Sequence, residues 1–389
     1  MKHYDVVILG GAIVGSSTAY YLRKNGFKGS IAVIEKDPTY ARACTPLSWG
    51  GIRGQFSTAE NILLSGFTLR LIRGLKQEFG PEADISFREQ GYLVLASEGS
   101  VATLVGNAHL QNSMGIDTVL MDRSDLAKKF SFANFNDIAM GSWGRTGEGW
   151  FDPYGLMSLI RKGAIARGVD YINDEVVAIE AADKVKSVTL KNGGKIGAGA
   201  VVNAGGASGG AIAAMVGFDL PVSAAKRYVY VVDCPGASEE VRKGPAWFNT
   251  DGVYWRPEGR NFLFGFTPSE EEEPKVADWD MEHHWFEEKI WPSAFERIPV
   301  FETLKVVSSY VGHYDYNWFD QNGVIGRHPT LPNFYFGNGF SGHGIQQGPA
   351  TGNAIAELIC FGEYRAIDLA ALGVERIAKN APLFEKNIF

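Results

Sequence analysis

The residues Gly10-Gly11-Ala12-Ile13-Val14-Gly15 follow an apolar run, Val6–Leu9, and open a helix-like stretch, Ser16–Leu22. Twenty residues past Gly15, at the end of a second apolar run (Ile31–Ile34), stand Glu35 and Lys36. A strand feeding a glycine turn that opens a helix brings backbone N–H groups and a positive helix end onto a pyrophosphate. An acid at the tip of the next strand accepts hydrogen bonds from ribose hydroxyls. The pattern predicts a dinucleotide site built from Gly10, Ala12, Ile13, Val14, Gly15, Glu35 and Lys36. Ala12 stands where the fingerprint has its middle glycine, and its methyl narrows the approach to the pyrophosphate.

A second stretch, Gly339-Phe340-Ser341-Gly342-His343-Gly344-Ile345-Gln346, precedes a predicted helix over about 345–361 that Gly362 closes. A helix N-terminus stabilises the negative charge that reduction places on the N1/C2=O edge of a flavin. Glycines let backbone lie against the ring, and His343 offers a hydrogen-bond donor. Nucleotide-type segments near 6–35, 176–206 and 335–355 suit an elongated FAD better than a nicotinamide dinucleotide. They add Val176, Val177, Ala204, Gly205, Gly206, Gly339, Ser341, Gly342, His343, Gly344, Ile345 and Gln346 as cofactor contacts.

The elements that must position these groups are legible in outline. A βαβ unit covers about 4–36, and a long helix is predicted over Glu60–Phe79 from Leu64, Phe67, Leu71 and Leu75. Gly91–Ala96 reads as a strand, and Phe151-Asp152-Pro153 leads a helix with Leu156, Leu159, Ile160 and Ala164 on one face. Ala200–Gly206 reads as a buried strand of the first sheet. From about 222 the chain turns to aromatic-rich strands, Tyr228–Val232, Gly252–Arg256 and Asn261–Phe266, suggesting an antiparallel sheet. The acidic run Ser269–Pro274 reads as a solvated turn.

Bounds come from composition. At 389 residues, 45% hydrophobic and 21% charged, the chain suits two joined globular domains. A formal net charge of −7 without a basic stripe argues against nucleic-acid binding. Cys44, Cys234 and Cys360 are far apart, pointing to a reducing, cytoplasmic setting and no metal site. No apolar run reaches the length of a membrane span.

Over essentially its whole length the chain resembles the D-amino-acid-oxidase-like family of FAD-dependent amine oxidoreductases, which includes sarcosine, dimethylglycine and glycine oxidases. Gly252–Pro274 and Phe301–Gly348 are similar to one branch, which contains a mitochondrial flavoprotein of respiratory complex I assembly. The resemblance implies an α/β (α+β two-domain) fold. A Rossmann-like FAD domain of DAO type would take residues 1–85, 145–221 and 318–375. An interleaved antiparallel substrate domain would take 86–144 and 222–317, with a C-terminal tail over 376–389. Ser48-Trp49-Gly50-Gly51-Ile52-Arg53 resembles the family segment along the flavin ring, so Ser48, Trp49, Gly50 and Gly51 are expected against the cofactor. Arg53 is expected at a substrate carboxylate or at charge on the flavin.

Departures from the family qualify these expectations. Gln346 stands where sarcosine oxidases have a lysine, offering a dipole in place of a charge. Leu263 replaces their oxygen-activating lysine, which disfavours rapid reaction with O2 and raises the case for a dehydrogenase; the expected electron acceptor is O2 or another acceptor, such as an electron-carrier protein or partner subunit. The tethering cysteine falls near His313, so FAD is expected to be non-covalent. Tyr314 stands near a carboxylate-binding arginine of glycine oxidases, leaving Arg53, Tyr254, Arg256 or Lys226 for that task.

The expected reaction is oxidation of a small amine or N-substituted amino acid by hydride transfer, followed by hydrolysis of the imine. Arg53, Tyr254, Tyr314 and His343 are its candidate catalytic groups. Aromatic walls from Tyr228, Tyr254, Trp255, Phe266 and Tyr314 would desolvate the ammonium and lower its pKa, and Arg256 and His313 are further candidate substrate contacts. Two rivals stay open. Oxidation of a 2-hydroxy acid would need a positioned base such as His313 or His343. A non-catalytic assembly or binding role is the other, since fold does not fix function.

Overall fold

Runs of β-branched and aliphatic residues make Lys2–Leu9, Ile31–Glu35 and Gly194–Asn203 central strands, because a strand covered on both faces carries little polar alternation. The computed structural model describes residues 1–274 and 276–386. In its first sheet the order is Val324–Arg327, Phe334–Asn338, Gly194–Asn203, Lys2–Leu9, Ile31–Glu35 and Asp170–Asn173. The last five run parallel, while Val324–Arg327 is antiparallel to its neighbour. Val6 and Ile8 face helices Ile13–Lys24, Pro153–Ala166 and Gly344–Phe361; Val7 and Leu9 face the opposite layer.

The helix expected over Glu60–Phe79 is two helices, Ala59–Arg73 and Leu75–Phe79, broken at Gly74. Glycine in a helix interior costs about 1 kcal/mol relative to alanine. Among the described residues Val176–Ala181 pairs only with Val185–Leu190, in an antiparallel extension that also pairs with Gly194–Asn203.

The second sheet has the order Lys305–Asn317, Val222–Asp233, Asn261–Phe266, Val253–Glu258, Ala246–Phe248, Tyr92–Ala96, Met140–Gly144 and Thr118–Asp122. Its pairs are antiparallel except Ala246–Phe248 with Tyr92–Ala96. One face buries Tyr228, Tyr230, Trp255, Phe262, Phe264 and Phe266 beneath Phe286–Phe301. The other carries Tyr92, Phe248 and Tyr254, packed with Trp49 and Trp150, toward the first sheet. No helix among the described residues is long and apolar enough to cross a membrane.

Candidate functional site

The glycine turn after Lys2–Leu9 and the turn after Gly194–Asn203 leave the carboxyl ends of adjacent parallel strands, where open α/β sheets bind ligands. Gly10 has φ +98°, and a Cβ there would lie 2.4 Å from the Ala204 carbonyl oxygen. A Cβ on Gly15 would lie 1.8 Å from the Gly10 carbonyl oxygen, so only glycine lets this helix seat on the strand. Helix Ile13–Lys24 begins at Ala12, whose side chain gives no cap; Thr45 Oγ1 accepts from Ile13 N (3.4 Å), and with no acid in the first turn the helix end stays electropositive. Val14 packs in the core behind it. Glu35 accepts hydrogen bonds from Gly11 N (2.8 Å) and Asp37 N (2.9 Å), which fixes its carboxylate at the strand tip; Lys36 is exposed.

Gly205 N bonds Asn203 Oδ1 (3.2 Å), and a Cβ added to Gly206 (φ +53°) would have Cys44 Sγ, at 3.9 Å, as its nearest neighbour. Asp174 N bonds the Glu35 carbonyl (3.1 Å), which puts Val176 near the Glu35 rim. Val177 is half exposed on the outer hairpin, so its side chain is a surface group. The electropositive helix end, the glycine backbone and the rim carboxylate fit the diphosphate and ribose of FAD.

The Ser48–Arg53 segment crosses between the sheets. Gly50 N bonds Ser48 Oγ (3.1 Å), and a Cβ on Gly51 would lie 1.9 Å from the Tyr92 hydroxyl. Trp49 packs edge-on against Tyr254 and Phe248, and its Nε1–H is buried with no partner among the described residues. The Arg256 guanidinium lies 5.3 and 5.2 Å from the Trp49 and Trp150 rings. Its Nε and Nη2 donate to the Trp49 carbonyl and its Nη1 to Pro257 O and Glu258. Arg256, expected at the substrate, is a clamp on Trp49.

The turn before the last long helix is held by Asp315, which accepts from Gly339 N (3.0 Å) and Phe340 N (3.2 Å). Burial pushes the Asp315 carboxyl up to about 6. Ser341 accepts from Asn317 N (3.0 Å) and, like Gly339 and Gly342, has positive φ. A Cβ on Gly342 would come 2.5 Å from the Tyr314 ring, so that ring lies directly on the turn. Gly344 starts helix Gly344–Phe361, and Ile345 anchors its first turn in the core.

Arg53 is buried with its guanidinium 4.1 Å from the Phe56 ring; it donates to Gln55 O, and its Nη2 lies 3.2 Å from His343 Nε2. Arginine cannot accept, so His343 Nε2 is the acceptor and any ring proton sits on Nδ1. Burial and the Arg53 charge hold the His343 pKa well below the ordinary range. The donor expected from His343 is therefore limited to its Nδ1 side. Gln346, expected as a dipole at the flavin edge, spends its Oε1 on Arg53 N (2.9 Å) and Ser65 Oγ (2.8 Å).

The pleat corrects the aromatic wall. Tyr254 and Trp255 are consecutive on one strand and cannot share a face. Tyr254 and Tyr314 face the first sheet, whereas Tyr228, Trp255 and Phe266 lie in the far-side core. His313 and Lys226 are opposite one another and also face away. His313 Nε2 lies 2.7 Å from Asp278 O, and Lys226 pairs with Asp278 and Glu282. Tyr228, Phe266, His313 and Lys226, expected at the substrate, therefore lie on the face of the second sheet away from it.

Two buried groups lie outside the sequence motifs. Glu148 accepts from Gly54 N (2.7 Å), Gln55 N (3.0 Å) and Gln55 Nε2 (2.8 Å), holding the backbone beyond Arg53, and burial pushes its carboxyl up to about 7. Arg227, one residue from Lys226, takes the inward face, 5.4 and 5.6 Å from the Tyr314 and Tyr316 rings. Alternation along a strand whose Tyr228 and Tyr230 point outward is the signal that singles it out.

The family model described as FAD dependent oxidoreductase (DAO) matches residues 5–358. The chain is 38% identical to a Xenopus laevis protein named FAD-dependent oxidoreductase domain-containing protein 1, over 99% of this chain and 84% of that one. Mouse mitochondrial dimethylglycine dehydrogenase is 25% identical over 96% of this chain and 44% of its own length. The crystal structure of L-proline dehydrogenase from P. horikoshii superposes with a TM-score of 0.87 at 25% identity, covering 98% of this chain and all of that one. With the cradle, the two-sheet architecture and these matches in agreement, the chain belongs to the DAO family of FAD-dependent oxidoreductases.

Proposed function

We propose that this flavoprotein oxidises the C–N bond of a small amine or N-substituted amino acid, the resulting imine being hydrolysed to a carbonyl product. FAD held at the Gly10–Gly15 turn and the Glu35 rim would supply the hydride acceptor. The chain's own residues prepare the substrate for that transfer. Tyr254, buried, and Tyr314, half-buried on Gly342, present a low-dielectric wall that favours the neutral amine over the ammonium. The neutral amine needs no further base.

The state of His343 carries the choice of an amine over a hydroxy acid. An alcohol must lose its proton to a positioned base near its operating pH. His343 Nε2 already faces the Arg53 guanidinium, and its basicity is depressed. His313, the other histidine nominated for that task, is on the far side of the second sheet. The same placement of His313 supports non-covalent retention of FAD. Leu263 pairs with Arg256 on the inward face and brings no charge to developing superoxide, which supports transfer of electrons to a carrier rather than to O2.

An anaerobic screen of N-methylated, N-carboxymethylated and D-configured amino acids against the yellow holoprotein tests this reading. Bleaching by at least one class is expected. Bleaching by 2-hydroxy acids alone would replace it with the alcohol reaction, and no bleaching by either would favour a binding role.

A further inference from the structure

Between helix Ala59–Arg73 and the loop that leads into Gly149–Trp150 lies a cavity of about 90 Å³. It runs from exposed Arg73 and Thr146 at the surface inward to buried Arg53, Ser65 and Glu148. A space of that size with hydroxyl and carboxylate groups on its wall holds a few waters. Its inner wall is bonded to the first turn of helix Gly344–Phe361, since Gln346 Oε1 accepts from both Arg53 N (2.9 Å) and Ser65 Oγ (2.8 Å).

Glu148, 1% exposed, is the acid at the inner end. Gly144 makes room for it, as a Cβ there would lie 1.9 Å from Glu148 Oε2. Its carboxylate accepts N–H groups of Gly54 and Gln55 and has no ion-pair partner among the described residues. The cations around it are committed elsewhere: Arg53 to Gln55 O and His343, and, toward the mouth, Arg73 to Glu89 (2.8 Å) and Arg145 to Asp117 (2.6 Å). On the side of the second sheet stands Tyr92, whose phenol burial holds above its ordinary range. An unpaired buried carboxylate is costly, and a proton relieves the cost; burial accordingly pushes Glu148 up to about 7. A further negative charge nearby favours the protonated form still more.

We propose that Glu148 takes up a proton from solvent, through the water of this cavity, each time the flavin acquires the negative charge of reduction, and returns it on reoxidation. The electron pair goes from the reductant to the flavin; the proton that joins the Glu148 carboxylate comes from bulk water, and no other bond changes. The charge gained by the flavin is thereby offset inside the protein. The inference needs a bound flavin but not the amine-oxidation reading, so its test uses chemical reduction.

The test is the flavin potential of the holoprotein, followed by anaerobic dithionite titration with redox dyes over about pH 6 to 9. Above about pH 7 the potential of wild type should fall more steeply with pH than that of Glu148→Gln, by up to one further proton per electron pair. An acid that only braced the Gly54–Gln55 backbone would move the melting temperature of the variant and leave its slope as in wild type, and superimposable slopes would overturn the proposal. In reduced-minus-oxidised infrared spectra of wild type at about pH 8, a protonated carboxyl band should appear and should move when the protein is transferred to D2O. No such band would overturn the proton uptake, and a band that keeps its place in D2O would overturn the cavity as the route. These spectra decide if Glu148→Gln does not retain FAD. Failure of the amine reading alone would show as the expected slopes and band in a flavin that dithionite bleaches and no amine does.

Discussion

At the scale of single residues, the site is governed by charges taken out of water. Glu148 and Asp315 both keep protons in the fold at pH values where an unfolded chain has released them, because burial outweighs the N–H groups that they accept from. The unfolded state therefore binds fewer protons in that range, and stability must fall as pH rises from the ordinary carboxylate range toward about 7 for Glu148 and about 6 for Asp315. Glu148→Gln removes one of these groups. Its melting temperature, followed across about pH 5 to 7, should decline less steeply than that of wild type. Parallel slopes would show that Glu148 is ionised in the native state. The contact of Glu148 with Gln55 spans 93 positions in sequence, and no local pattern announces a partner at such separation.

At the scale of elements, much of the cofactor cradle was legible because strand, turn, helix and acid follow one another within 36 residues. Gly15 is the test of that unit. Gly15→Ala drives a methyl into the Gly10 carbonyl and should lower both the melting temperature and the flavin-to-protein absorbance ratio. Ala12→Gly removes the methyl that narrows the approach and should tighten FAD retention, read by dialysis against apoprotein. A Gly15→Ala protein that keeps wild-type FAD content would contradict the seating described for this helix. The substrate face was less legible. Aromatic density marked the right strands, but density has no direction; parity does, and it separates Tyr254 from Trp255 and Arg227 from Lys226. The break at Gly74 was likewise present as a residue and masked by an apolar spacing that continues to Leu75.

At the scale of the molecule, the second sheet and the C-terminal segment are both drawn onto the FAD-binding sheet. Arg376 forms a buried two-point ion pair with Asp320 (2.6 and 3.0 Å), and Leu383 N also bonds Asp320 (3.0 Å). Glu385, read from sequence as part of a tail, is buried and accepts from Ser57 N (2.7 Å), Thr58 Oγ1 (3.1 Å) and Asn61 Nδ2 (2.9 Å) at the start of helix Ala59–Arg73. Asp320→Asn leaves the Arg376 charge buried without its carboxylate and should cost about 3–5 kcal/mol in urea unfolding. A loss below about 1 kcal/mol would mean that the segment adds little to the fold. This strap was invisible to pattern reading, since polar residues near a chain end look like solvated ones.

The most direct test of the central claim is a matched pair offered anaerobically to the yellow holoprotein, sarcosine against glycolate, which differ at the reacting carbon only in carrying a methylamino group or a hydroxyl. The account predicts that the flavin loses its colour with the amine, with a rate that climbs as pH exposes more neutral substrate, and keeps it with the alcohol. Bleaching by glycolate while sarcosine and its N-carboxymethyl and D-amino-acid counterparts leave the flavin oxidised would contradict it.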